Sequence, residues 1–262
     1  MKILSITAQK VDSTGSGVFL TELTKGFRKL GCAQAVVCGT TEEDTICLSE
    51  DIALFPVVYK TPALPFPICG MSDEMPYEST RYCDLNEEMT EQLLSAFRAK
   101  VTEAMESFQP DVILCHHLYF LAALVRELYP SIPVYGQCHG SDLRQIRKNP
   151  WMRDWIKENI CKLDGIFALH QQQKETILET FGVNPEKVSV MGTGYNSDVF
   201  FLNPEAKAQR DSRKTRLIFA GKLSEKKGLY SLLRALRLLP NPRNYELALA
   251  GGYGYRTDYA EI

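Results

Sequence analysis

Short apolar, β-branched runs alternate with helical stripes along this chain, and that alternation leaves few folds open. The runs fall at Lys2–Thr7, Gln34–Cys38, Leu54–Tyr59, Asp111–Cys115, Val134–Cys138, Gly165–Leu169 and Lys187–Met191. Between them, Val18–Leu30, Leu85–Phe108, Tyr119–Tyr129, Pro150–Lys162 and Gln172–Phe181 carry apolar residues at helical spacing. The first of these places Phe19, Leu20, Leu23, Phe27 and Leu30 on one stripe and stops at Gly31, a good left-handed terminator. Asp84 is the expected N-cap of the long helix, and Pro110 follows its end. Strands that alternate with helices pair in parallel through right-handed crossovers. The expected fold class is therefore α/β, a Rossmann-type, mostly parallel sheet flanked by helices.

Two stretches break the pattern. Residues 60–78 hold four prolines from Pro62 to Pro76 without periodicity and are expected to form a long loop. Residues 203–214 are polar and read as an interdomain linker. The pattern then restarts with strand Arg216–Ala220, helix Gly228–Leu239 and strand Glu246–Ala250. Three parts are expected: a domain over 1–202, the linker 203–214, and a β-α-β start of a second domain over 215–262, cut short because one such unit buries little core.

Composition narrows the function classes. With 30 basic and 32 acidic residues the net charge is −2, which disfavours a nucleic-acid binder. The longest apolar run, Leu118–Val125, has eight residues, so no transmembrane segment or signal-peptide core is expected, and the expected location is cytoplasmic. The eight cysteines form no CxxC pair, and the four histidines show no HxxxH or HExxH spacing, so no metal site is expected and the cysteines are taken as reduced core thiols. Charge clusters locally: residues 73–91 hold seven acids against Arg81, and 207–227 hold eight bases against two acids. Residues 144–162 pair six basic side chains with Trp151 and Trp155, open to peripheral contact with an anionic membrane but more simply an ordinary helix with a half-buried tryptophan pair.

Four glycine-bearing turns follow expected strands. Asp12–Gly17 carries Gly15 and Gly17 ahead of a helix, where backbone N–H groups can meet an anion. It is no dinucleotide fingerprint, since Leu20 replaces the third glycine and Gly39-Thr40 offers no ribose-binding acid. His139-Gly140-Ser141-Asp142 ends another strand, and the pair His116-His117 ends a third, where imidazoles can bond substrate hydroxyls. His170 ends a fourth strand and suits a helix cap equally well. Gly192 and Gly194 make the third turn. In the fourth, Gly221-Lys222 and Lys227-Gly228 bring two ammonium groups to one helix start, a combination suited to a diphosphate.

Taken in order, these pieces resemble family 4 glycosyltransferases of the two-domain GT-B fold, retaining and dependent on a nucleotide sugar. The match runs through the Gly15/Gly17 loop, Asp111…His117, His139–Asp142, Gly192…Asp198…Phe200, Phe219–Leu223…Lys227-Gly228 and Leu249–Gly254. The resemblance implies an acceptor-binding first domain and a donor-binding second one, with transfer of a hexose-type sugar to the hydroxyl of a small-molecule, glycan or lipid-linked acceptor. It implies donor contacts at Gly15, Gly17, Gly192, Gly194, Lys222, Lys227 and Gly251, and catalytic candidates His139, His117 and Asp142. His139 matches a hydrogen-bond partner of the donor sugar, and Lys227 the lysine that clasps the diphosphate. Lys222 stands where the family usually has arginine, which keeps the charge and loses the bidentate fork. No cofactor or metal is implied beyond the donor. The family's paired glutamates are not reached by this sequence, and the Glu42/Glu50 spacing falls elsewhere in the pattern, so the chain is expected to hold an incomplete donor site. Two other readings stay open: a nucleotide-sugar epimerase of the same architecture, with Asp142 and Asp198 as acid/base candidates, and a non-catalytic sugar- or nucleotide-binding module.

Overall fold

The computed structural model describes residues 1–205 and 214–252. In chain order its first strands are β1 (Lys2–Ile6), β2 (Ala33–Thr40), β3 (Ala53–Val58), the two-residue β4 (Cys69–Gly70) and β5 (Thr80–Arg81), β6 (Val112–His116), β7 (Val134–Gln137), β8 (Gly165–Ala168) and β9 (Val188–Val190). The helices between them are α1 (Gly15–Lys29), α2 (Glu87–Phe108), α3 (Phe120–Leu128), α4 (Ser141–Lys148), α5 (Arg153–Ile160) and α6 (Gln171–Phe181). Seven strands form one sheet in the order β3-β2-β1-β6-β7-β8-β9, every pairing parallel. The α/β expectation is met.

Burial explains the order. β2 is buried from Gln34 to Thr40, as a strand covered on both faces must be. β3 carries Pro56, which cannot donate to a second neighbour, and stands at the edge. Chain order runs outward from β1 on one side and from β6 on the other. That reversal opens the crevice in which α/β sheets bind ligands, at the carboxyl ends of β1 and β6.

Several expectations are corrected. The N-cap of α2 is Asn86, whose Oδ1 accepts from Met89 N at 2.8 Å; Asp84 instead sits in a 3₁₀ turn, paired with Arg81. The 60–78 stretch is not wholly loop. Thr61 bridges Leu64, and β4 pairs with β5, pairings too short to show a period. A separate helix, α4, precedes the later one, which starts at Arg153 and not at Pro150. Of the eight cysteines, Cys38, Cys69, Cys115 and Cys138 are buried, whereas Cys47 and Cys83 are exposed.

The chain divides into two compact units: residues 1–73 with 78–194, and residues 74–77 with the described residues from Tyr195 on. Residues 195–202, expected with the first domain, group with the second unit, and most of the expected linker lies outside the described residues. In the second unit, β10 (Thr215–Ala220) pairs in parallel with β11 (Tyr245–Ala250), linked through a 3₁₀ turn (Glu225–Lys227) and α7 (Leu229–Arg237).

One buried cation ties the first unit together below the sheet. Arg126, in the last turn of α3, donates to Asp164 Oδ2 at 2.6 Å and to the carbonyls of Tyr129, Pro130 and Ile132, while the same Asp164 oxygen accepts from Val134 N. Arg126→Ala should cost about 2–3 kcal/mol in urea unfolding, somewhat below the loss for a fully buried pair because Asp164 remains 45% exposed.

Candidate functional site

Asp142 organises the carboxyl ends of β6 and β7. It lies in the first turn of α4, where the helix N-terminus favours an anion, and is 0% exposed. Oδ2 accepts from Leu118 N at 2.9 Å and His139 N at 3.3 Å; Oδ1 accepts from Leu143 N at 3.1 Å and Cys138 Sγ at 3.3 Å. The carboxylate is thus spent on the chain's own donors. The structure places Asp142, one of the expected catalytic candidates, as the brace between two strand ends.

That brace gathers three histidines. His116 ends β6 and is 2% exposed; His117 follows at 5% exposed; His139, after β7, is half-buried. His116 Nδ1 and His139 Nε2 are 3.1 Å apart with the rings stacked, and the His117 and His139 ring centroids lie 4.6 Å apart. Phe19 of α1 sets its edge against the His139 ring. His117 adopts φ +73, a conformation costly for a side-chain-bearing residue. Its Nδ1 faces Ser141 Oγ at 3.5 Å. The Nε2 atoms of His116 and His117 are buried with no hydrogen-bond partner. Sequence reasoning singled out His117 and His139 and gave His116 no role of its own. Gln9 was missed altogether: it lies in the loop after β1, accepts from Ser16 at 3.1 Å, and leaves a buried Nε2 unpartnered.

The glycines divide by role. At Gly17 a Cβ would lie 2.7 Å from Lys10 O, so only glycine lets the start of α1 pack on the Lys10-Val11 turn. Gly17 N also donates to Thr14 Oγ1, the N-cap of α1. Gly15 and Gly194 meet no such crowding, and Gly192 turns at φ +76. Beside the Lys10-Val11 turn a cavity of about 130 Å³, lined by Lys10, Asp12, Ser13, Thr40 and Asp44 among others, opens at the ends of β1 and β2. Burial pushes the Asp44 carboxyl up, but bonds from Lys10 and Thr41 outweigh it and hold the group below its ordinary value. His170 caps α6 by accepting from Gln173 N at 3.1 Å.

In the second unit the two glycine turns meet. A Cβ on Gly251 would fall 1.7 Å from Gly221 O, and Gly221 N donates to Ala250 O at 2.9 Å. Lys222 Nζ donates to Glu74 O at 2.7 Å. Burial lowers its pKa against the pull of Glu74, and the neighbouring Lys227 and Lys226 push it lower still. Lys226 pairs with the Glu74 carboxylate, while Lys227 is exposed in the 3₁₀ turn before Gly228. Tyr253 and Gly254 lie outside the described residues. Among the described residues no three His, Cys, Asp or Glu side chains are grouped to hold a metal ion, and no helix is long and apolar enough to cross a membrane.

The histidine cluster carries a pH signature. Burial, reinforced by His116, pulls His117 from 6.5 to about 3; burial and the neighbouring rings lower His116 and His139 as well, although Asp142 opposes this at His139. The unfolded chain takes up protons below pH 6.5 that the folded chain refuses. Stability is therefore complete above that pH and falls as pH drops toward about 3. Each ring contributes at most about 1.4 kcal/mol per pH unit. Urea midpoints should fall between about pH 7 and about pH 5, and His117→Gln should flatten that slope.

Comparison with known proteins places this geometry. No curated protein matches the chain. Sucrose-phosphate synthase from Thermosynechococcus elongatus is 14% identical at TM-score 0.69, the match covering 98% of this chain and 64% of that one. HepE from Anabaena, solved in complex with UDP and glucose, is 16% identical at TM-score 0.62, covering 97% and 61%. UDP-GlcNAc 2-epimerase from Neisseria meningitidis bound to UDP-GlcNAc is 13% identical at TM-score 0.54, covering 95% and 65%. The chain thus spans 61–65% of the length of these structures, and at such identities the likeness is one of fold. The model of Glycosyltransferase Family 4 matches residues 13–199, well over half of the sequence, and the chain belongs to that family.

Proposed function

We propose that this protein takes part in transfer of a hexose-type sugar from a nucleoside-diphosphate sugar to an acceptor hydroxyl, with retention. The observation that carries this is the cluster of three histidines, with His139 half-buried, at the switch point of a family 4 sheet. Ring nitrogens at a ligand crevice can hydrogen-bond a polar ligand. A sugar, dense in hydroxyls, is such a ligand. Lys227, Lys222 and the paired Gly221/Gly251 turns suit a diphosphate, and Gly15, Gly192 and Gly194, with open space at the Cβ position, suit close backbone approach to the donor, while Gly17 shapes the loop by packing on Lys10-Val11.

The protonation states fit substrate-assisted chemistry. Histidines held neutral by burial offer hydrogen bonds but shuttle protons poorly near neutral pH. As the glycosyl–phosphate bond breaks and the new C–O bond forms on the same face, the acceptor proton passes to a departing diphosphate oxygen. The Asp142 geometry also weighs against an epimerase, since its carboxylate has no free donor or acceptor role to play.

Isothermal titration with UDP-sugars tests the clasp. Lys227→Ala should weaken binding by about 1.5–3 kcal/mol, whereas Lys222→Arg should match or improve on the natural residue. Unchanged affinity in Lys227→Ala would remove that lysine from the donor site. His139→Ala should lower transfer per folded molecule far more than it lowers the unfolding midpoint. A core-like stability loss of ~2–5 kcal/mol with transfer intact would make His139 structural.

A further inference from the structure

We propose that His116 is a positioning residue: its Nδ1–H donates to His139 Nε2 and so holds His139 as the Nδ1–H tautomer, a ring that offers a ligand one donor and no acceptor. The contact is 3.1 Å long between rings 16° from parallel with centroids 5.4 Å apart, an in-line arrangement with a single proton along it. Two assignments exist. If His139 donated, the His116 proton would sit on Nε2, and an N–H would be buried with no acceptor. If His116 donates, its Nε2 is a bare ring nitrogen, and the buried atom is only an underused acceptor. Orphaned buried N–H groups are the rarer and costlier of the two. His117 does not compete, because its Nδ1 faces Ser141. Burial keeps both rings neutral, so the contact is not one between imidazolium and imidazole. Asp142 fixes the His139 backbone and Phe19 its ring, which keeps the two imidazoles in line.

For the sugar site proposed above, on which this consequence rests, His139 then donates to a sugar oxygen and has no lone pair with which to take the acceptor proton. The tautomer itself does not depend on that site. Long-range ¹H–¹⁵N spectra of the labelled chain report it directly, with His139 assigned by signals lost in His139→Gln. Both His116 and His139 should show a protonated Nδ1 and a bare Nε2, the reverse of the form free histidine favours in water. A His139 found as Nε2–H overturns the proposal. His116→Asn, which keeps an N–H donor near the Nδ1 position, should preserve the His139 pattern; loss of the pattern in that folded variant also overturns it. Adding UDP-sugars and free hexoses separates the two ideas: His139 signals that never move would overturn the sugar-site assignment and leave the tautomer standing.

Discussion

A single buried carboxylate sets the geometry at the crevice. Among the described residues Asp142 has no cationic partner; four donors and a helix start surround its side chain. Two of those donors belong to different strand ends, Leu118 after β6 and His139 after β7. The carboxylate therefore does for the ends of two strands what ladder hydrogen bonds do for their middles. It shares that gap with His117 N, which donates to Gln137 O at 2.9 Å, and with the contact between His116 and His139.

The histidines carry conformational and electrostatic costs at this edge. Left-handed backbone at His117, unpartnered Nε2 atoms on two rings and burial that resists protonation all raise the energy of the folded state. Such costs persist where a surrounding core can carry them, and here β1, β2 and β6 are almost wholly buried. A crevice whose donors are preset and whose rings stay neutral suits a polyhydroxylated ligand better than a charged one. In the second unit the opposite chemistry prevails, with ammonium groups beside two glycine turns packed backbone to backbone.

Much of the architecture was readable without coordinates, because a parallel sheet imposes strong patterns. Its strands were expected within about two residues, and Gly31 does end α1 with φ +71. What escaped was short or polar. The eight residues of α4, Ser-Asp-Leu-Arg-Gln-Ile-Arg-Lys, have too few apolar positions to show a period. The pairing of β4 with β5 involves two residues on each side.

For the site, the sequence by itself determined which residue types stand at which strand ends: glycines near the start of α1, histidines after β6 and β7, lysines after β10. These are local facts, fixed by hydrophobic period and turn chemistry. Only the tertiary structure decided their roles. Asp142 braces two strand ends because Leu118, distant in sequence, arrives beside it. His116 meets His139, 23 residues away, at 3.1 Å between near-parallel rings, while the positive φ of His117 turns the chain between the two adjacent histidines. Spacing along a chain records what one element needs; the direction of a side chain's free nitrogen depends on which neighbour the sheet brings against it.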